Sequence, residues 1–224
     1  MVKRKVDEEA TRKALLLVGV FILTVALYQN IVLDLPYFYA LFSLGMFIVL
    51  LALYNTIAAD VLFGNWRGRD IFFFSLILLI TCVLIDHIGM RLGYWEYPHY
   101  DTEDDFRKYI MEWAIALLYH MVSLLLGIQL FRRIFLQKTT AFFMGMLVVV
   151  TPVGFLTEYL NLNVESWRVL NMPFSNIKIG DFYLVFQTLG YWLMALIPYI
   201  LYLSIDILAQ KRNTSNDTIE KAGI

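Results

Sequence analysis

The stretch IFFFSLILLITCVLIDHIGMRLGYW, residues 71–95, decides the fold class of this chain. From Ile71 to Ile85 nearly every residue is apolar, and about 20 such residues cross the hydrocarbon core of a bilayer as an α-helix. Asp86 closes this run, and Trp95 follows nine residues later. Because a carboxylate inside a membrane-spanning helix is costly, it usually marks a pathway or a site.

The same spacing occurs a second time, 72 residues further along the chain. Glu158 lies near the end of another apolar run, and Trp167 again follows nine residues later. A repeated acid in this setting favours two copies of a helical hairpin that share one pocket. We therefore predict tandem two-helix repeats over residues 70–135 and 138–209.

The composition indicates a membrane protein along the whole length of the chain. Hydrophobic residues make up 60% and charged residues 17%, whereas soluble domains are about half apolar and a quarter charged. The net charge of −1 argues against nucleic acid as a partner. We predict an all-α, polytopic membrane helical bundle that forms a single integral membrane domain over residues 1–224, with a polar cytoplasmic tail at 210–224. About six transmembrane helices are expected, at Ala14–Leu33, Tyr37–Phe63, Ile71–Tyr94, Tyr109–Phe135, Thr140–Asn161 and Phe182–Ala209.

The distribution of basic residues predicts the orientation of these helices. Thirteen of the 18 Lys and Arg residues lie on the side that carries both termini. The positive-inside rule places that side in the cytoplasm. At 1.5 Å per residue, Asp86 then lies roughly 22 Å and Glu158 about 27 Å across the membrane, and Glu112 only about 5 Å below the outer surface. Three carboxyl groups from three helices are expected to converge there.

This convergence makes Glu112, Asp86 and Glu158 the candidate catalytic residues. A carboxyl group desolvated in an apolar pocket can stay protonated and donate its proton. The alternative is that acids near helix ends simply reach interfacial water, which removes much of the cost of burying them.

The candidate substrate-binding residues are aromatic or lie on the same helix faces as the acids. Aromatic rings can stabilise a carbocation as they stabilise other cations, although Trp and Tyr are also common in interfacial belts. Gly89 and Gly93 form a small-xxx-small pair, which predicts the close approach of another helix. The predicted binding set is Trp95, Tyr94, Trp113, Trp167, Tyr119, His120 and Asn161.

The stretch from Ile85 to Gly127 resembles the lycopene cyclase domain of carotenoid cyclases. The resemblance rests on Asp86, then Arg91-Leu92-Gly93-Tyr94-Trp95, then Pro98 and Tyr100. Ile110-Met111-Glu112-Trp113 stands where the family has Pro-Leu-Glu-Glu, so Trp113 replaces the second glutamate. The resemblance implies an all-helical membrane fold, an apolar isoprenoid substrate, and redox-neutral cyclisation started by protonation of a double bond. It also implies Glu112 as the acid and Asp86 as its partner.

Two other functions compete with the cyclase hypothesis. A non-catalytic membrane protein could use the same fold to bind lipid or a partner, and the missing second glutamate favours it. A small proton-coupled carrier could use Asp86, Glu112, His120 and Glu158 as a relay. No cofactor and no metal site is predicted. The expected partners are the lipid bilayer, an apolar isoprenoid ligand and a second copy of the chain, in a homo-oligomer.

Overall fold

The computed structural model describes residues 2–58, 61–99, 113–174 and 176–221. Each of the six helices in this part of the chain contains an apolar segment long enough to cross a membrane, so the prediction of an all-α membrane bundle is confirmed. The helices are α1 (Val2–Ile31), α2 (Phe38–Ala58), α3 (Gly68–Arg91), α4 (Ala114–Arg132), α5 (Lys138–Val164) and α6 (Leu184–Lys221).

The predicted spans Tyr37–Phe63 and Ile71–Tyr94 extend several residues beyond the helices that form. Helix α2 ends at Ala58, and Phe63 lies in a turn with φ of 66°. Helix α3 ends at Arg91, and Gly93 turns the chain with φ of 67°, a conformation that favours glycine. The apolar runs continue past the helix ends because the connecting segments are themselves partly apolar.

The last helix differs most from its predicted bounds. Residues Phe182–Tyr183, the predicted start of the span, form a short strand, and α6 begins at Leu184. It continues to Lys221, so most of the predicted polar tail is helical. Lys, Gln, Glu and Arg in this segment are good helix formers. The part of α6 from Gln187 to Arg212 is long and apolar enough to cross a membrane.

Helix α5 contains a π-helical turn at Met146–Val150. Pro152, just after this turn, has no backbone N–H and therefore cannot complete the regular hydrogen-bond ladder. The Thr151 hydroxyl donates to the carbonyl oxygen of Met146 at 3.0 Å. A local rearrangement thus accommodates the proline within one continuous spanning helix.

Helix α4 forms the centre of the bundle. In its apolar segment 61% of the residues are buried, compared with 17% in α1 and α6. The segments that follow α3 and α5 meet at one end of the bundle, where strand β1 (Trp95–Glu96) pairs antiparallel with β2 (Arg168–Val169). Strands β3 (Lys178–Ile179) and β4 (Phe182–Tyr183) form a hairpin before α6. The pairing of β1 with β2 places Asp86 and Glu158 near the same end.

Candidate functional site

In both acid–tryptophan motifs of the sequence, the tryptophan indole donates a hydrogen bond to the acid nine residues before it. Trp95 donates from its indole Nε1 to Asp86 Oδ1 at 2.9 Å, and Trp167 donates from Nε1 to Glu158 Oε1 at 3.4 Å. In each motif the chain leaves the helix, turns, and brings the indole back to the acid. The nine-residue spacing therefore corresponds to a defined local structure.

Each carboxyl group accepts a second hydrogen bond from a tyrosine. Tyr97 donates to Asp86 Oδ1 at 2.6 Å, and Tyr191 of α6 donates to Glu158 Oε1 at 2.6 Å. Asp86 is 1% exposed and Glu158 is 6% exposed. The bonds from Tyr191 and Trp167 both end on Oε1 of Glu158, and the Gln187 side chain is a third hydrogen-bond partner of this carboxyl group. No ion pair joins Glu158 to a basic side chain of the described residues.

The strand pair holds the two motifs together at the surface of the bundle. Trp95 is paired with Val169. Arg168 forms hydrogen-bonded ion pairs with Glu165 at 2.6 Å and with Glu96 at 3.2 Å. The hydrogen bond that Arg168 donates to Glu165, followed by the negative charges of Glu165 and Glu96, raises the pKa of the Arg168 guanidinium. These exposed contacts link the segment after α3 to the segment after α5.

A cavity of about 430 Å³ lies between α3, α4, α5 and α6, beneath these paired segments. Its walls are almost entirely apolar, and Glu158 supplies the only carboxyl group among the described residues that line it. We call it the aromatic cavity. Its lining residues are Tyr39, Cys82, Ile85, Trp95, Trp113, Leu117, Glu158, Trp167, Val169, Met172, Gln187, Gly190, Tyr191, Leu193, Met194 and Ile197.

Four of the predicted site residues meet in this cavity. Glu158, Trp95, Trp113 and Trp167 all line it. The Trp95 and Trp113 rings are stacked, with centroids 6.5 Å apart and an interplanar angle of 25°. The structure thus brings together one predicted acid and three predicted aromatic walls.

The other two predicted acids have different positions. Asp86 is not part of the cavity wall and lies behind Trp95, to which it is hydrogen-bonded. Glu112 lies outside the described residues.

Tyr94 and Asn161 support the cavity from outside its wall. Tyr94 lies in the turn before β1, with its ring centroid 6.4 Å from that of Trp95. The Asn161 amide donates to the Trp167 carbonyl at 2.8 Å, and its oxygen accepts from the Trp167 N–H at 3.1 Å. Asn161 therefore fixes the backbone that carries Trp167.

Tyr119 and His120 are buried in α4 and do not line the cavity. The Tyr119 hydroxyl lies 3.0 Å from that of Thr157 and 3.4 Å from that of Tyr39. Thr157 donates to the Val153 carbonyl, so Tyr119 is the donor to Thr157 and Tyr39 is the donor to Tyr119. This chain of hydroxyl groups positions Tyr39, which does line the cavity.

The imidazole of His120 lies between two tyrosine rings. Its centroid is 4.1 Å from that of Tyr119 and 4.9 Å from that of Tyr191. Neither ring nitrogen has a hydrogen-bond partner in the described part of the chain. His120 therefore contributes to the site by packing against Tyr191, the donor to Glu158.

The predicted helix-packing role of Gly89 and Gly93 is wrong. A Cβ atom at Gly89 would lie 2.0 Å from the Trp95 ring, so it is this ring that packs against the glycine. Gly93 lies beyond the end of α3 and forms the turn. Both glycines instead allow the chain to return and place Trp95 beside Asp86.

Several residues of the site were not among the sequence predictions. Gln187 and Tyr191 of α6 line the cavity, as does Tyr39 of α2. Gln187 and Tyr191 are four residues apart in an apolar helix, a spacing that places polar side chains on one face, so this signal was present in the sequence. Tyr97 is the second donor to Asp86, and only its position near Trp95 distinguishes it from other tyrosines.

Comparison with protein-family models, with curated proteins and with solved structures finds no match to this chain. The class of the protein follows from its fold: it is an integral membrane protein with six helices of membrane-spanning length in the described chain. Within that class, its distinguishing feature is an apolar, aromatic cavity that contains one carboxyl group.

Proposed function

We propose that this protein binds an acyclic isoprenoid, or a similar apolar polyene, in the aromatic cavity and cyclises it by acid catalysis. The observation that carries the proposal is Glu158, a carboxyl group on an otherwise apolar, aromatic wall. The cavity volume of about 430 Å³ lies within the range of small-molecule sites, roughly 300–1,000 Å³. The resemblance of residues 85–127 to carotenoid cyclases supports the same reaction.

The proposed reaction is a redox-neutral isomerisation. The proton of the Glu158 carboxyl group adds to a terminal double bond of the ligand, which forms a C–H bond and leaves a carbocation. A neighbouring double bond attacks the cation and closes the ring. Loss of a proton to the Glu158 carboxylate then restores a double bond and the acid.

The aromatic wall suits the cation formed in this reaction. Trp95, Trp113 and Trp167 present rings to the cavity, and the face of an aromatic ring attracts a cation within about 6 Å. The hydrogen bonds from Tyr191 and Trp167 to Oε1 stabilise the carboxylate that remains after proton transfer.

The test is turnover in a host that accumulates an acyclic carotenoid, with the extracted pigments separated by chromatography. We expect a cyclised product with the unchanged chain and a loss of at least about 100-fold with Glu158→Gln, the lower range of general acid catalysis. Glutamine keeps an acceptor for Tyr191 but has no acidic proton. Glu112→Gln serves as the comparison, because the resemblance implies Glu112 as the acid. If Glu158→Gln is fully active and Glu112→Gln is not, Glu158 is not the donor.

A second candidate function is non-catalytic binding of the same class of ligand. The observation that favours it is Trp113, which stands where the resembled family has its second glutamate and which stacks on Trp95 as part of the wall. In this case the polyene would co-purify unchanged, and Glu158→Gln would leave the bound amount unaltered.

A further inference from the structure

The aromatic cavity opens on the exterior of the helical bundle, between α3 and α6. Ile85 of α3 and Leu193 of α6 both line the cavity. Both are also exposed on the surface, Ile85 by 39% and Leu193 by 57%. Side chains that border the interior and the exterior at once mark the rim of an opening. We call this opening, bounded by Ile85 and Leu193, the portal.

The portal faces lipid, not water. Ile85 lies six residues before Arg91, the end of α3, and Leu193 lies nine residues after Leu184, the start of α6. At 1.5 Å per residue, Ile85 is about 9 Å and Leu193 about 14 Å inside the ends of their helices on the same side of the bundle. This depth is within the hydrocarbon of a bilayer whose apolar core is roughly 30 Å thick.

The helices that flank the portal are joined directly at the end that lies far from it. At the far end, Arg212 of α6 binds Asp70 of α3 through two hydrogen bonds of 2.9 and 2.6 Å. At the near end, α3 leads into β1, which pairs with β2. The opening therefore lies toward the end of the α3–α6 pair that is opposite the Arg212–Asp70 contact, next to the strand pair.

We propose that the portal admits one end of a long-chain isoprenoid from the bilayer while the rest of the chain stays in lipid. The inference rests on the proposed function and specifies its substrate class: a ligand longer than the cavity. A volume of about 430 Å³ suits a drug-sized group, whereas a forty-carbon polyene exceeds it. An apolar wall that is continuous with the hydrocarbon lets such a chain pass without desolvating a polar group.

The experiment compares a long and a short probe in protein reconstituted into lipid nanodiscs. The long probe is the C40 acyclic polyene lycopene, and the short probe is radiolabelled farnesene, a C15 hydrocarbon. The portal variant is Leu193→Trp, which places a large side chain at the rim. Ile200→Trp is the matched control, because Ile200 lies seven residues further along α6, is 59% exposed and does not line the cavity. Ile85→Trp tests the rim from the opposite helix.

We expect Leu193→Trp and Ile85→Trp each to weaken lycopene binding by at least about tenfold, the lower end of what one misfitted group costs in an apolar pocket. Farnesene, once inside, does not occupy the portal, so its affinity should change less than about threefold. Ile200→Trp should leave both affinities unchanged. Unaltered lycopene binding in both rim variants overturns the portal, as does an equal loss for both probes. If neither probe binds the unchanged chain, the proposed function fails together with the inference.

Discussion

Asp86 and Glu158 each accept a hydrogen bond from a tryptophan indole. The two carboxyl groups differ in their surroundings. Glu158 lines the aromatic cavity, whereas Asp86 is 1% exposed and has the Trp95 indole and the Tyr97 hydroxyl on its Oδ1. A group that reaches the ligand only through another side chain cannot donate a proton to it. The geometry therefore gives Asp86 a positioning role, through Trp95.

This division of roles predicts different behaviour for two substitutions of Asp86. Asp86→Asn keeps an oxygen that accepts from Trp95 and Tyr97, so activity should fall by less than about threefold, whereas Asp86→Leu leaves two buried donors without an acceptor and should lose most activity. Turnover and the near-UV circular dichroism of the tryptophans would be measured together. An Asp86→Asn variant as inactive as Glu158→Gln, with an unchanged tryptophan signal, would show that Asp86 takes part in proton transfer.

At the level of single residues, the functional roles of the predicted acids and aromatics stay predictions, although four of these residues line one cavity. The repeated nine-residue spacing singled out both acids and both tryptophans. Helical periodicity gives the face of a helix on which Asp86 lies, but it cannot show that the chain folds back after Gly93 and places Trp95 in front of it.

At the scale of the element, α3 and the turn that follows it act as one unit. The turn depends on Gly89, since a Cβ atom there would lie 2.0 Å from the Trp95 ring. The backbone N–H of Tyr94 donates to the Gly89 carbonyl at 2.9 Å, which closes the end of the helix. Gly89 thus provides both a carbonyl acceptor and the space for the indole.

Gly89→Ala should therefore destabilise the protein by about 1–3 kcal/mol, the usual cost of overpacking. Gly68→Ala is the matched control at the other end of α3, because a Cβ atom there meets nothing within 4 Å. The free energy of unfolding would be measured by denaturant titration in mixed micelles. Equal stability of the two variants would mean that Trp95 does not need the space above Gly89.

The helices themselves were the most predictable elements, and their ends were the least predictable. Composition and run length identify a spanning segment because the bilayer sets its length. The sequence prediction began the last helix at Phe182 because Phe182 and Tyr183 are as apolar as the helix that follows. In the structure these two residues instead pair with β3 in a hairpin. Apolarity alone does not distinguish a strand at the interface from the first turn of a helix.

At the scale of the whole molecule, the cavity is assembled from distant parts of the chain. Tyr39 of α2 precedes both acid–tryptophan motifs in the sequence, and Tyr191 of α6 follows them. Both tyrosines nevertheless line the same cavity as Glu158, and Tyr191 donates a hydrogen bond to it. The repeated nine-residue spacing marked Asp86, Trp95, Glu158 and Trp167 in the sequence, but it did not predict that each tryptophan contacts its acid. The partners supplied by α2 and α6 depend on how the helices pack, which single-sequence patterns do not specify.

The orientation of the bundle is a prediction that the single native cysteine makes simple to test. Cys82 is buried, so its replacement by Ala gives a background for single-cysteine variants. Gln137→Cys would lie in the segment between α4 and α5, and Asn176→Cys in the segment between α5 and α6. Both positions are exposed, and because one spanning helix separates them, they must lie on opposite sides of the membrane.

With both termini in the cytoplasm, a membrane-impermeant maleimide should label Asn176→Cys in intact cells and label Gln137→Cys only after permeabilisation. The physical reason is the excess of Lys and Arg on the side that carries Gln137, which resists translocation. The reverse pattern would invert the bundle and place the cavity at the cytoplasmic half of the bilayer.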